Sequence, residues 1–175
     1  SSNHISQKKQ TLEMDPKLRA TGSTTMAKVI ILSSHFLKTH PRAGEETNFE
    51  EHYLSGIKKH TIRAGSRWKT GDMFSPRSWT GVPYKTKQKI IGPDRRVAKT
   101  YKIEINNHHG EFIVWINGKK LSLNEMISVA WNDGLLFCDW QHWFNKPSFE
   151  GQIIVWALRL NYKTRPIELM APYLT

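Results

Sequence analysis

Lys58, Thr61 and Arg63 fall within six residues of one another in the stretch YLSGIKKHTIRAGSRWKTGD, residues 53–72. An amine, a hydroxyl and a guanidinium at that spacing can do chemistry together. On a β-strand alternate side chains share a face, so Thr61 and Arg63 point one way and Ile62 the other. A lysine in a partly desolvated pocket has its pKa lowered and can serve as a base. Threonine becomes a nucleophile when such a base takes its proton, and arginine can hold an oxyanion or a carbonyl. Spacing alone favours a simpler reading, in which these residues only decorate a basic edge strand.

The elements around them are legible. Thr47-Asn48-Phe49-Glu50 has the form of a capping box. Phe49, Tyr53 and Ile57 follow at four-residue spacing with Leu54 beside them, which predicts a helix with one buried face ending at Gly56. A strand then carries Thr61 to Arg63. Val29 to Leu32 is a short apolar run of strand type, and HFLKTHPRAG reads as a loop. KTGD at 69–72 is a turn, and residues 75–96, with three prolines, read as a long basic excursion between strands. VAKTYKIEI alternates like a half-exposed strand. Asn117-Gly118 is a preferred hairpin turn. Ser122 to Glu125 opens a helix through Trp131, Phe137 to Phe144 reads as another, and QIIVWALRL as a mostly buried closing strand. Residues 1–25 lack periodicity and read as a tag or a disordered arm before Met26, and 164–175 as a tail. The order predicts one α+β domain over 26–163 with a curved antiparallel or mixed sheet, in the limit a barrel.

The net charge of +11 is concentrated. Residues 58–102 hold 13 Lys and Arg against Asp72 and Asp94, while the rest of the chain is neutral. Trp68, Trp79 and Tyr84 interleave with these cations, a pattern suited to stacking bases over a phosphate track. The alternative is a merely solvated face. Nucleic acid, RNA in the first place, is therefore the expected partner. Lys58, Lys59, Arg63, Arg67, Lys69, Arg77, Lys85, Lys87, Lys89, Arg95 and Arg96 are the candidate contacts, with Trp79 or Tyr84 stacking a base. No apolar run is long enough to cross a bilayer, and Cys138, the sole cysteine, excludes an intrachain disulfide and fits a reducing cytoplasm. Phosphate-binding loops, dinucleotide fingerprints and paired metal-ligand histidines are absent, so neither metal nor cofactor is expected. His108 and His109 read as a turn, His142 as a packing histidine and Cys138 as a small buried residue.

FEEHYLSGIKKHTIR followed by WKTGD resembles the signature of the ASCH family, the activating-signal-cointegrator homology domains of the PUA-like superfamily. Its pattern is met by Ser55, Gly56, Lys58, Thr61, Ile62, Arg63, Gly71 and Asp72. AWNDGLLFCDWQHWF is similar to the family's acidic-Gly element and aromatic helix, and the likeness runs from Lys28 to Leu160. The resemblance implies a PUA-like curved β-barrel of about five to six strands flanked by short helices. It also implies a cleft for nucleic acid or a modified nucleobase. Some bacterial members are amidohydrolases of N4-acetylcytidine that use a lysine base, a threonine nucleophile and a glutamate acid. These positions map onto Lys58, Thr61 and Asp133, the last an aspartate where those enzymes carry glutamate. Other members are reported to cut RNA, so a weak ribonuclease is a further enzyme alternative. The basic excursion at 75–96 departs from the compact hydrolases and points to a polynucleotide. Binding ranks first, amide hydrolysis second, and a protein-interaction module docking through helix 137–144 third.

Overall fold

The structure, a computed structural model, describes residues 26–163; the expectations for residues 1–25 and 164–175 lie outside them. The chain runs β1 (Lys28–Ile31), α1 (Phe49–Leu54), β2 (His60–Ala64), β3 (Met73–Trp79), β4 (Gln88–Ile90), β5 (Arg95–Arg96), β6 (Lys99–His108), β7 (Glu111–Ile116), β8 (Lys119–Lys120), α2 (Leu123–Asn132), α3 (Phe137–Trp143) and β9 (Ser148–Val155). This is an α+β protein built mostly of strands.

The strands form two sheets. In one, β3 lies between β1, its parallel neighbour, and β4 and β5, which pair with opposite ends of its other edge. The other is antiparallel in the order β2-β9-β6-β7-β8. Ile153, Ile154 and Val155 of β9 are all fully buried. Three successive buried residues mean that both faces of the strand are covered, because alternate side chains point to opposite sides. Ile103, Ile105, Val114 and Ile116 join them in the core with Met126, Val129 and Ala130 of α2 and Trp140 of α3. Asn117 and Gly118, at φ 48° and 78°, form the left-handed pair of a tight hairpin between β7 and β8. Ser122 caps α2 in the expected box with Glu125.

Four expectations need correction. The ladders do not close into a barrel: β1 and β2 are edge strands of different sheets and share no pairing. Arg63 of β2 instead reaches across with its side chain to the Ile31 carbonyl. Second, the 75–96 segment is not a plain excursion between strands: it holds the C-terminal part of β3 and all of β4 and β5. Pro76 sits inside β3, and its carbonyl accepts from the Ile91 N–H at 2.9 Å. The donor it lacks would face the Ile91 carbonyl, so the return bond of this pair is missing where β4 ends at Ile90. Third, Thr47 does not form a capping box. Asn48 is the N-cap at φ 61° without a side-chain bond, and Glu50 pairs with Lys89 at 2.7 Å. Fourth, Leu54, expected on the buried face of α1, is 62% exposed.

Candidate functional site

Lys58 is placed by the ends of two helices. Its N–H bonds to the His52 carbonyl at 2.8 Å as the chain leaves α1, and the next residue, Lys59, bonds to Asn132 at the end of α2 at 2.7 Å. The Lys58 side chain then runs inward, its ammonium 4.2 Å from the Phe49 ring centre. Gly134 lets it pass. At φ +89° this position favours glycine, and a Cβ there would lie 3.3 Å from Lys58 and Phe49. Beyond it the ammonium meets Asp133, the C-cap of α2, bonding to Oδ1 at 2.9 Å and also to the backbone carbonyl. The C-terminus of a helix is its negative end, so a cation belongs there.

Asp133 is fully engaged. Oδ2 accepts from Trp140 Nε1 at 3.1 Å, and Oδ1 faces His60 Nδ1 at 3.6 Å, too far for a good hydrogen bond. His60 Nε2 lies 2.8 Å from the Tyr162 hydroxyl, which accepts from Asn132 Nδ2 at 2.9 Å. Burial pushes the Tyr162 phenol well up, so it keeps its proton and donates it to His60. Burial also lowers the His60 pKa and keeps that ring neutral, with its own proton on Nδ1 towards Asp133. For Lys58, burial lowers the pKa against the opposing pull of Asp133. For Asp133, burial favours the neutral acid, but the Lys58 charge and the neighbouring His60 outweigh it and the pKa is lowered. A carboxylate held ionised by an ammonium and an indole is suited to orienting Lys58, not to giving up a proton.

A cleft of about 580 Å³ opens above this pair. Lys58, Thr61, Arg63 and Asp133 all line it, as do Trp79 and Tyr84 from the β3–β4 hairpin. Phe36, Phe49, Trp143 and Phe144 supply further aromatic wall. Thr61 is buried, and its hydroxyl makes no hydrogen bond among the described residues. Trp79 and Tyr84 pack together with ring centres 5.2 Å apart, and Tyr84 is 90% exposed at φ 64° on the hairpin tip. The β2 backbone beneath is pressed close to β9, since a Cβ on Gly151 would lie 2.3 Å from the Arg63 carbonyl.

The remaining candidate cations do not converge on the cleft. Lys59 turns back to the Gly56 carbonyl at 3.1 Å. Arg77 bonds Ser75 and Gln88, Lys89 bonds Glu50, and Arg95 lies 6.0 Å over the Tyr53 ring. Arg67, Lys69, Lys85, Lys87 and Arg96 are exposed outside it. Trp68 is buried and unavailable for stacking, with Lys28 and Arg67 over its ring. Of the aromatics in the 137–144 segment, Trp140 and Phe144 are core residues, while Phe137 and Trp143 are half-buried. Cys138 is exposed, against expectation, and so is His142, whose Nδ1 bonds the Cys138 carbonyl at 2.8 Å. Among the described residues no group of three or more His, Cys, Asp or Glu is placed to hold a metal.

Sequence reasoning passed over His60, Tyr162, Trp140 and the 33–38 loop. His60 had a signal, since it stands two residues after Lys58 and points to the same interior. Phe36 was marked as an aromatic in an otherwise polar loop. Tyr162 had none, because it reaches the site only through the fold. No protein-family model, curated protein or solved structure matches this chain.

Proposed function

We propose that this protein binds RNA, or a modified nucleobase within it, by seating a base in the cleft above Lys58 and Asp133. The observation that carries the reading is the composition of that cleft. Planar aromatic walls surround an arginine and a buried lysine, in a volume within the range of small-molecule sites. Rings suit the faces of a base and cations suit its carbonyls and the adjoining phosphates. The exposed Lys85 and Lys87 on the hairpin behind Tyr84 extend the positive surface away from the cleft, along the course a strand would take. The motif around Ser55 to Arg63 and the acidic-Gly element at Asp133 support placing the fold in the ASCH group of PUA-like domains. The open seam between β1 and β2 is then the departure from a closed barrel. The test is fluorescence anisotropy with single-stranded RNA and DNA over a salt series, for the wild type and Trp79→Ala. Stacking on an aromatic contributes about 1–3 kcal/mol per base, so Trp79→Ala should weaken RNA binding by about 5- to 150-fold. Unchanged affinity would remove the base from this cleft.

One observation favours amide hydrolysis of an acylated nucleoside as a second reading. A lysine with a lowered pKa and a threonine hydroxyl without a partner among the described residues line the same cleft. In that mechanism Lys58, once deprotonated, takes the Thr61 proton as the hydroxyl oxygen attacks the acyl carbon. The protonated lysine then returns a proton to the departing amine, and water hydrolyses the acyl-threonine. Asp133 orients the lysine throughout. Acetate release from N4-acetylcytidine, lost in both Thr61→Ala and Lys58→Ala, is the measurement. Its absence from the purified wild type leaves binding as the function.

A further inference from the structure

We propose that the cleft also holds a terminal phosphate at Arg63, so that its ligand is a phosphorylated nucleotide or the phosphorylated end of a strand. This inference rests on the base-binding reading above and gives it a chemical class. Arg63 gives one N–H to the Ile31 carbonyl. A guanidinium has five such donors, and among the described residues no carboxylate pairs with this one. Asp133, the acid that lines the same cleft, is already engaged through both oxygens by Lys58 and Trp140. The Asp133 charge still acts on Arg63 from a distance, and the like charge of Arg67 opposes it.

Charge arithmetic sharpens the point. The charged side chains lining the cleft are Lys38, Lys58 and Arg63 against Asp133 alone, a balance of +2. Lys38 is exposed and Lys58 is held by Asp133, so half-buried Arg63 is the cation whose charge among aromatic walls an anion would relieve. A phosphate monoester carries roughly −1.5 to −2 at neutral pH and three acceptor oxygens. A carboxylate or an internal phosphodiester brings only a single charge. The planar fork of arginine matches two phosphate oxygens at once. The Thr61 hydroxyl, without a partner among the described residues, stands on the same strand face at the cleft and supplies a donor for the third. Trp79 and Tyr84 remain for the base.

The experiment is isothermal titration calorimetry with the four common ribonucleosides, their 5′- and 3′-monophosphates, and a short RNA with and without a terminal phosphate. The phosphorylated member of at least one pair should bind about 10- to 100-fold tighter, as charge-assisted hydrogen bonds imply. Preference among free mononucleotides and preference confined to the oligomer distinguish a small-molecule ligand from a strand end, and both support the proposal. Arg63→Gln should erase the preference, bringing monophosphate affinity down to that of the matching nucleoside in the same variant, and Arg63→Lys should keep only part of it. Should Arg63→Gln fail to fold by circular dichroism, the wild-type preference and its competition by inorganic phosphate decide. Equal affinity for nucleoside and monophosphate overturns the phosphate site and leaves base binding intact. Oligomer binding indifferent to the terminal phosphate, with no mononucleotide bound, overturns it too. No binding of any probe overturns both readings.

Discussion

Replacing Asp133 with asparagine tests whether the Lys58–Asp133 pair organises the cleft floor. Both side chains are almost wholly buried, at 2% and 8% exposure, and their charges lie 2.9 Å apart. Removing one partner of such a pair leaves the other charge buried alone, at a cost of about 3–5 kcal/mol. Asparagine keeps an acceptor for Lys58 and Trp140, so the loss should fall near the lower end, about 3 kcal/mol. The pH dependence gives a second signature. Burial already lowers the Lys58 pKa, and losing Asp133 lowers it further. Between that folded value and the unfolded value of about 10.4, the unfolded chain binds the extra proton, so stability rises with pH. Urea unfolding at a series of pH values should therefore show the deficit of Asp133→Asn shrinking from neutral pH towards pH ~10. Adding Lys58→Met should recover most of the loss at pH ~7, since replacing both members of a buried pair is often neutral. A deficit below about 1 kcal/mol, or one that does not shrink with pH, would refute this account of the pair.

Two further outcomes follow from the same structure. Gly134→Ala should destabilise the fold by about 2–4 kcal/mol, from the left-handed backbone and from crowding against Lys58 and Phe49, read as a lowered thermal midpoint. If RNA runs along the hairpin, Lys85→Ala with Lys87→Ala should reduce the slope of log affinity against log salt by about 1.4, at about 0.7 per contact. Lys89→Ala should change it less, because Glu50 already holds that ammonium, and equal effects from all three would contradict the pairing.

The helix at Phe49, the strand through Thr61 and Arg63, the Asn117-Gly118 hairpin and the box at Ser122 were legible because each depends on near neighbours in sequence. The Lys58, Thr61 and Arg63 cluster was legible from strand parity, and Asp133 from a motif resemblance. The β3–β4–β5 sheet was not. Three prolines and a run of cations disguise strands of which one face is marked only by Phe74, Pro76 and Ser78, with Ser75 buried on the other. The serines are buried although nothing in their type announces it. Exposure of Cys138 and His142 was missed for the opposite reason. Asp139 and Trp140 of α3 and Phe144 just after it turn inward, while Cys138 and His142, one helical turn apart, share the outward face. The chain His60–Tyr162–Asn132 joins residues up to 102 positions apart and no local pattern encodes it.

The unpaired edges of β1 and β2 bear on self-association. Backbone groups along an open strand edge invite a strand from another molecule, the first step of edge-to-edge aggregation. Here one such edge is met by the Arg63 side chain, which occupies the Ile31 carbonyl and brings a charge that an incoming apolar strand would have to bury. The cation proposed to take a phosphate in the cleft is thus also a sentry on the seam, so a substitution at Arg63 would act on the ligand and on the open edge together.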